Sequence, residues 1–384
     1  MKNLNLAIEY FSTTAGATFE ETTQRIIDQL DFGKRTPLRF VFFGIPQSDY
    51  EYCNELTILK TKVKEKFGKH TPVISYVSQR PLCNNALVLE AHSTEISSER
   101  VIHHRKFEHT DYITVEDSNA KKLSLGGIIA SDFRLSIFDQ SMQIFDKIKK
   151  IMELENMPIN SIVRQWNYIA NITLVKDDKQ HYQEFNDARS HFYNQTNWPA
   201  GYPAATGIGT ENGGVVVDLF AVTPKKENVS IFALDNKLQV AAHAYSQQVL
   251  IGQEDAIFKT RTTPKFERGK VVYANKESLV YISGTAAIRG EASLEGVGIK
   301  TQTVTTLENI DYLTSVENLQ EAGVPCVKAV EMKSLRIYLK EPQYYDEAKK
   351  VVDSMSPEVP SVYLLGDICR DNLLIEIEGI ATNY

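Results

Sequence analysis

The sequence lacks three features that would assign it to a class at once: paired cysteines, a long apolar run and a basic block. The four cysteines, Cys53, Cys83, Cys326 and Cys369, show neither CxxC pairing nor zinc-ligand spacing, a pattern typical of reduced thiols in a cytoplasmic protein. No window approaches the roughly 18 uninterrupted apolar residues of a membrane span. The first residues also lack the apolar run of a signal peptide. These absences predict a cytoplasmic chain with no membrane segment and no metal site.

The charge balance excludes one large class of partner. The chain has 384 residues and a net charge of −7, with 42% hydrophobic and 24% charged residues. An acidic chain without a basic block argues against nucleic acid as the main partner, although a local basic pocket for an anionic small molecule remains compatible with it. The length is sufficient for two domains with ordinary hydrophobic cores.

Two parts of the chain repeat one order of predicted elements. Residues 108–224 and residues 268–384 each run through strands, a long helix, a strand, a second helix and closing strands, and Gly126 corresponds to Gly284. Two copies of one α+β unit explain this order better than a single large domain does. We therefore predict an N-terminal α/β extension (1–107), a first unit (108–224), a connecting segment (225–267) and a second unit (268–384).

The closing stretch of the second unit contains the first candidate for chemistry. Residues 373–380 alternate in polarity, with Glu376 and Glu378 on the face opposite Ile375 and Ile377. Either the strand is a solvated edge with two exposed glutamates, or one carboxyl group faces a cleft where burial raises its pKa. Aligning the two units places Val217 opposite Glu376. A carboxylate present in one copy only favours a catalytic role for Glu376.

The connecting segment supplies candidates for ligand binding. A long irregular connection in a compact protein is often a binding loop or a lid. Arg268 and Tyr245 can hold a carboxylate, the arginine through its fork of N–H donors and the tyrosine through its hydroxyl. Each of them, taken singly, is equally compatible with an ordinary surface residue.

Residues 268–384 resemble the YjgF/RidA-type unit, a six-stranded sheet packed on two helices, and residues 108–224 resemble it more weakly. The chain as a whole resembles one branch of that superfamily, the chorismatases. The resemblance rests on five stretches: Arg164-Gln165-Trp166-Asn167-Tyr168, Tyr202-Pro203-Ala204-Ala205, Pro264-x-Phe266-x-Arg268, Ser283-Gly284-Thr285-Ala286 and Cys369-Arg370-Asp371-x-Leu373-Leu374-x-Glu376. It implies an enzyme that cleaves the enolpyruvyl ether of chorismate and releases pyruvate, together with 3-hydroxybenzoate or a dihydroxycyclohexadiene carboxylate.

The resemblance also implies roles for individual residues. Glu376 matches the glutamate that protonates the enolpyruvyl methylene carbon, and Cys369 with Gly284 matches the pair of the hydroxybenzoate-forming subtype. The arginines Arg268 and Arg164, together with Tyr245, are expected to hold the two carboxylates of the substrate; no cofactor is implied. The sequence departs from the family pattern after Tyr245, where it reads Ser246-Gln247-Gln248.

Two alternatives stay open at this point. A RidA-type imine/enamine deaminase needs an arginine anchor ahead of the glutamate, but Ser361 stands at the matching place. A non-enzymatic member of the fold would bind a ligand without turning it over. The fused units are compatible with a monomer or a small homo-oligomer.

Overall fold

The computed structural model describes residues 6–176, 178–251, 254–255, 257–325 and 328–383. Its N-terminal unit is a four-stranded sheet of order β1-β4-β2-β3 with two helices. The elements are β1 (Leu6–Thr13), α1 (Phe19–Gln29), β2 (Arg35–Gly44), α2 (Asp49–Phe67), β3 (Val73–Ser78) and β4 (Leu87–Glu95). Thr18 and Ser48 begin the two helices by accepting backbone N–H groups of the first turns.

The next unit, which we call the first repeat, is a six-stranded sheet of order β11-β8-β12-β7-β6-β5. Its elements are β5 (Val101–Phe107), β6 (Thr110–Glu116), β7 (Ala120–Ile129), α3 (Ile137–Leu154), β8 (Ile162–Ala170), β9 (Val175–Lys176), β10 (Lys179–Gln180), α4 (His181–Tyr193), β11 (Ala204–Thr210) and β12 (Val215–Pro224). Helices α3 and α4 bury their apolar faces against the sheet in one core cluster.

The second repeat is a six-stranded sheet of order β13-β14-β15-β20-β18-β19. Its elements are β13 (Val229–Leu234), β14 (Gly269–Ala274), β15 (Glu277–Ala286), β16 (Ile288–Arg289), β17 (Ala292–Ser293), α5 (Gly298–Thr314), α6 (Val316–Glu321), β18 (Glu331–Leu339), α7 (Tyr345–Met355), β19 (Ser361–Leu365) and β20 (Ile375–Thr382). The α+β fold with two repeated sheet-and-helix units is therefore confirmed.

The N-terminal unit is a third, shortened copy of the same topology. In the first repeat, β8 pairs in parallel with β11, while β12 runs antiparallel between β7 and β8. In the N-terminal unit, β2 pairs in parallel with β3, while β4 runs antiparallel between β1 and β2. Within its described residues, 6–95, this unit differs from the repeats by having no counterpart of the opening hairpin. The sequence did not indicate the third copy, because the element order of residues 1–107 is that of a generic α/β extension.

The units close into a ring through a cycle of buried ion pairs. Arg39 of the N-terminal unit binds Asp218 of the first repeat at 2.5 Å. Arg164 of the first repeat binds Glu378 of the second repeat. The cycle closes with Arg336 of the second repeat, which donates to Glu90 of the N-terminal unit through Nε and Nη2 at 2.5 and 2.6 Å. Each unit thus supplies one arginine and one carboxylate, and each arginine binds the carboxylate of the following unit.

The indole ring of Trp166 lies at the centre of this arginine–carboxylate ring. The guanidinium carbons of Arg39, Arg164 and Arg336 lie 4.1, 4.6 and 5.6 Å from its ring centroid, within the range of cation–π attraction. Burial opposes ionisation of Glu90, but the charge and hydrogen bonds of Arg336 outweigh it and hold the pKa of Glu90 well below its usual range. The Arg336–Glu90 pair of the ring is therefore charged at neutral pH.

The sheet boundaries differ from those expected from the sequence. Strand β5 pairs with β6 along its whole length, and β13 pairs with β14 across the connecting segment. Both hairpins supply strands to six-stranded sheets, because an outer strand must pair with its neighbour to satisfy its backbone groups. We propose that the first repeat begins at Val101 and the second at Val229, in place of 108 and 268.

Breaking the ion-pair ring should destabilise the whole fold. Arg336→Met leaves the buried carboxylates of Glu90 and Glu378 without one of their cations, and unpaired buried charges of this kind cost about 3–5 kcal/mol. A urea titration followed by circular dichroism should show a clearly lower midpoint. Lys150→Met is the matched control, because Lys150 pairs with Asp146 on the surface of α3. Equal midpoints for the two variants would remove the ring from the stability of the fold.

Candidate active site

A cleft opens where the first and second repeats meet. Its walls come from β10, α4 and β11 of the first repeat, β15 and β20 of the second repeat, and the segment between β13 and β14. Its empty volume, including the part open to solvent, is about 810 Å³. Five of the six residues expected to form the site line this cleft: Glu376, Cys369, Arg268, Tyr245 and Gly284.

Glu376 lies on β20, an inner strand of the second sheet. This strand is buried along its whole length between β15 and β18, which excludes the alternative of a solvated edge. The side chain of Glu376 is only 5% exposed and lies against Gly284 of β15. A Cβ atom at position 284 would stand 1.9 Å from Oε1 of Glu376. A glycine is therefore required at this place for the carboxyl group to keep its position.

The surroundings of Glu376 favour its protonated form. Burial is the main cause, the charge of Glu378 adds to it, and the guanidinium groups of Arg164 and Arg268 oppose it; together they raise the pKa of Glu376 to about 8. Within the described ranges, no hydrogen bond from another side chain ends on this carboxyl group. A neutral carboxyl group that faces a cleft can donate a proton there.

Cys369 lies on the loop between β19 and β20 and is half-buried. Burial, followed by the charge of Glu376, raises the pKa of its thiol to about 12. The thiol is therefore neutral at physiological pH, and it is a poor nucleophile because only the thiolate reacts readily. Cys369 therefore lines the cleft as a small, polarisable side chain that can transfer a proton.

Arg268 is a buried cation held by aromatic and backbone groups. Its Nη2 donates to the hydroxyl oxygen of Tyr245 at 2.7 Å and to the carbonyl oxygen of Val240 at 2.6 Å. The rings of Tyr245 and Phe266 lie 5.6 and 5.5 Å from its guanidinium carbon. Its Nε has no partner within the described part of the chain. This geometry fixes the guanidinium group at the cleft wall and leaves a donor for an anion.

Two further arginines, Arg189 and Arg370, line the cleft. Neither was expected at the site from the sequence. Arg189 on α4 is 2% exposed, donates to Asn186 at 2.5 Å, and has a buried Nε without a partner among the described residues. Arg370 donates to the carbonyl oxygen of Glu291 and to the hydroxyl group of Ser293. Three polar residues at every third position of α4, Gln183, Asn186 and Arg189, share one side of the helix and are buried. Their spacing was the signal available in the sequence.

Arg164 does not line the cleft. Its guanidinium group is 1% exposed and binds Glu378 and Thr206 within the arginine–carboxylate ring. The expectation that Arg164 holds a substrate carboxylate therefore fails on geometry, because a buried arginine already committed to a carboxylate has no donor directed at the cleft. Its influence on the site is electrostatic, through the pKa of Glu376.

Comparisons with known proteins find similarity to chorismatases. The family model described as "Chorismatase FkbO/Hyg5-like, N-terminal" matches residues 101–221. A 3-hydroxybenzoate synthase of Streptomyces hygroscopicus is 28% identical over 236 residues, which cover 59% of this chain and 65% of that enzyme. A chorismatase of Streptomyces rapamycinicus is 28% identical over 227 residues, which cover 57% and 64%. The chain is therefore similar to chorismatases, and residues 101–221 match the FkbO/Hyg5-like N-terminal model. The matched part spans a little under two thirds of each relative.

The fold is shared with a solved structure. The crystal structure of a chorismatase superimposes over 98% of both chains with a TM-score of 0.71 and 18% sequence identity. The shared architecture therefore includes the N-terminal unit and both repeats. Among the described residues of this chain, no helix is both long and apolar enough to cross a membrane.

The protonation state of Glu376 can be measured directly. The carboxyl C=O stretch in a wild-type minus Glu376→Gln infrared difference spectrum should titrate with a midpoint of about 8, because burial in the cleft disfavours the carboxylate. Glu347→Gln, on the exposed face of α7, is the control and should leave the Glu376 band and its midpoint unchanged. A midpoint for Glu376 near the ordinary value for glutamate would mean that the cleft does not desolvate it.

Proposed function

We propose that this chain cleaves the enolpyruvyl ether of chorismate to pyruvate and 3-hydroxybenzoate, with Glu376 as the general acid. The proposal rests on one observation above the others. A carboxyl group that holds its proton up to about pH 8 faces a cleft lined by three arginines. Within the described part of the chain, none of these arginines forms an ion pair with a carboxylate.

The three arginines fit the charge of the substrate. Chorismate carries two carboxylates, one on its ring and one on the enolpyruvyl group, so a binding site must supply cationic donors in two places. The guanidinium carbons of Arg268 and Arg370 lie 5.6 and 5.1 Å from the centroid of the Tyr245 ring, and Arg189 lines the cleft from α4 of the other repeat. Guanidinium groups hold carboxylates by paired hydrogen bonds. A dianion held across the cleft places its ether group beside Glu376.

The chemistry requires an acid of this kind. An enol ether becomes reactive when its terminal methylene carbon accepts a proton, which produces an oxocarbenium ion at the neighbouring carbon. Glu376 donates that proton, and its carboxylate then stabilises the cation. In the hydroxybenzoate route, the oxygen of the neighbouring ring hydroxyl group bonds to the ether-bearing ring carbon while the ring C–O bond of the ether breaks and its electron pair leaves with pyruvate. The bridging oxygen then separates from its original carbon and keeps its proton. Loss of the proton from the ring carbon that now carries the oxygen restores the aromatic ring and returns a proton to Glu376. The sum is chorismate to pyruvate plus 3-hydroxybenzoate, with no water consumed.

The product assignment rests on Gly284 and Cys369. Gly284 gives the Glu376 carboxyl group its position, and the neutral thiol of Cys369 stands in the same cleft. A thiol that keeps its proton can relay one to or from the ring during rearomatisation. The 3-hydroxybenzoate synthase among the relatives supports this product. Direct attack by water would instead release the dihydroxycyclohexadiene carboxylate.

The deaminase alternative is less well supported. Ser361 stands at the place of the expected arginine anchor, and it begins β19 with its hydroxyl group bound to the carbonyl oxygen of Val359. The arginines of the cleft come instead from α4, the segment before β14 and the loop before β20. Incubation with chorismate and, separately, with 2-aminoacrylate distinguishes the two activities, because the chain should accelerate pyruvate release above the spontaneous rate only with its true substrate.

Replacing the acid should abolish turnover. Glu376→Gln keeps the size of the side chain but cannot supply the proton, so pyruvate release from chorismate should fall by about 10²–10⁴-fold or more. The assay couples pyruvate to lactate dehydrogenase, with unchanged circular dichroism as evidence of folding and Glu347→Gln as the control. Full activity in Glu376→Gln would refute the acid assignment. Binding of chorismate without turnover by the wild type would favour the non-enzymatic alternative.

Replacing the thiol should change the product. Cys369→Ala removes the proton relay and admits water, so the product ratio should shift from 3-hydroxybenzoate toward the dihydroxycyclohexadiene carboxylate. Chromatography with mass detection measures the ratio directly. Cys53→Ala is the matched control, since Cys53 is an exposed thiol on α2. An unchanged ratio in Cys369→Ala would remove the thiol from the mechanism.

A further inference from the structure

A second cleft lies where the N-terminal unit meets the first repeat, and we call it the N-terminal cleft. Helix α2 and strand β3 of the N-terminal unit form one wall, and β6 and β7 of the first repeat form the other. Its empty volume, including the part open to solvent, is about 460 Å³. It shares no lining residue with the cleft between the repeats, and the function proposed above assigns no role to it.

Strand register identifies the N-terminal cleft as the counterpart of the cleft between the repeats. Ile74 lines the first and Ala205 the second, and each stands one residue after the strand partner of its unit's ring arginine. Gly127 and Gly284 correspond as well, because each is the second residue of the irregular pair in β7 or β15. The register thus replaces Gly126, the counterpart of Gly284 expected from the sequence, by Gly127.

The N-terminal cleft lacks the acid of its counterpart. Val216, two residues before the ring carboxylate Asp218, stands at the register position of Glu376. An aliphatic side chain cannot supply a proton. The N-terminal cleft can therefore bind a ligand, but it cannot repeat the chemistry proposed for Glu376.

The third junction, between the second repeat and the N-terminal unit, is filled by the chain itself. Residues 80–82 run antiparallel to β19, and the N–H of Leu82 donates to the carbonyl oxygen of Tyr363 at 3.0 Å. Tyr363 holds the register position of Ile74. The side chain of Leu82 is 9% exposed and packs into the core of the second repeat. The protein thus closes one junction with its own backbone, whereas it leaves the N-terminal cleft open.

Two lysines of α2 line the N-terminal cleft without a counter-ion. Lys60 and Lys64 lie one helical turn apart, and like charges at this spacing repel each other. The side chain of Lys60 is half-buried. In the part of the chain that the structure describes, neither ammonium group forms an ion pair or a hydrogen bond. An anion bound between them would relieve the repulsion.

The field at Lys60 is cationic on balance. Burial lowers the pKa of Lys60, and the charge of Asp111 opposes that shift. The charges of Lys106 and Lys147 add to the lowering. Asp111 is exposed and is the carboxylate among the lining residues. Two lysines and one aspartate therefore leave the walls with an excess of one positive charge when His109 is neutral.

We propose that the N-terminal cleft binds a small monocarboxylate. Its carboxylate lies between Lys60 and Lys64, and its body packs against Pro72 and Ile74. A single negative charge balances the excess charge of the walls, and the volume favours a ligand smaller than the one that the cleft between the repeats can take. The ligand is bound and not turned over, because Val216 replaces the acid. The proposal is independent of the reaction proposed for the other cleft.

Crystals soaked with 4-bromobenzoate locate the ligand. The bromine anomalous peak of the wild type should lie between α2 and β7, near Ile74 and Gly127, and it should be absent in Lys60→Met. The position of the peak separates this site from the cleft between the repeats. A peak only in that other cleft, or a peak of equal height in Lys60→Met, would contradict the assignment.

Calorimetry with benzoate measures the dependence on charge. Lys60→Met should weaken binding about tenfold or more, since it removes a charge-assisted contact and keeps the apolar stem. Asp111→Asn should tighten binding, because it removes the opposing carboxylate. Lys62→Met is the matched control and should bind as the wild type does, because Lys62 lies on the same helix and pairs with Glu20. Unchanged circular dichroism serves as evidence of folding for each variant.

The same titrations define the contrary results. Absence of binding to the wild type, or equal affinities of Lys60→Met and Lys62→Met, would overturn the proposal. Weaker binding by Asp111→Asn would overturn the charge assignment, because it would mean that Asp111 attracts the ligand. Arg370→Met, a variant of the cleft between the repeats, should leave the binding that depends on Lys60 unchanged. Loss of binding in Arg370→Met with full binding in Lys60→Met would place the ligand in that other cleft.

Discussion

The cycle of arginine–carboxylate pairs around Trp166 is the constraint on which the rest of the structure depends. Removing six charged groups from water costs desolvation free energy, and this cost is offset only when every charge has a partner. The shortest ion pair of each arginine here is with a carboxylate of the next unit. No unit can therefore satisfy its own charges fully, and the three units must assemble together with one fixed relative orientation.

This constraint also sets the chemistry of the cleft. Glu378 and Glu376 lie two residues apart on β20, so both side chains project from the same face of the strand. Glu378 is held by Arg164, Arg336 and Tyr338, and its charge disfavours a second charge nearby. Glu376 lies outside the ring, beside Gly284. One carboxylate is thus stabilised as an ion by the fold, and the same fold keeps the neighbouring carboxyl group neutral.

The sequence predicts the local elements and the principal acid but not the way the units meet. Alternation and the repeat alignment locate Glu376 without knowledge of tertiary contacts. Cys369 and Gly284 were expected at the site only because their stretches resemble those of the chorismatases. Arg164 was expected to line the cleft and does not, whereas Arg189 was not expected there and does. One reason explains both results. Both are arginines on regular elements, and only the contact between units decides that Arg164 binds Glu378 while the Nε of Arg189 stays without a partner.

The third copy escaped the sequence analysis for a related reason. The N-terminal unit lacks the opening hairpin, so its element order resembles a generic α/β pattern. Its relation to the repeats is visible in strand pairing, where β4 runs between β1 and β2 as β12 runs between β7 and β8. Pairing between strands distant in sequence is not encoded in local periodicity, and a single sequence offers no other access to it.

A comparison of two junctions separates what the fold requires from what the reaction requires. Between the N-terminal unit and the first repeat, the hydroxyl group of Ser75 donates to Asp218. Between the first and second repeats, the hydroxyl group of Thr206 donates to Glu378. The two junctions therefore share the bonds that hold the units together.

They differ two residues before the ring carboxylate, where Val216 stands in the first repeat and Glu376 in the second. The strand register thus replaces Val217, the counterpart expected from the sequence, by Val216. A carboxyl group that the ring does not need, and that burial penalises, has no structural reason to be present at one junction only. Because the same bonds hold the Val216 junction together without that carboxyl group, we infer that its function is the cause of its presence. This contrast is the strongest structural argument that Glu376 acts in catalysis.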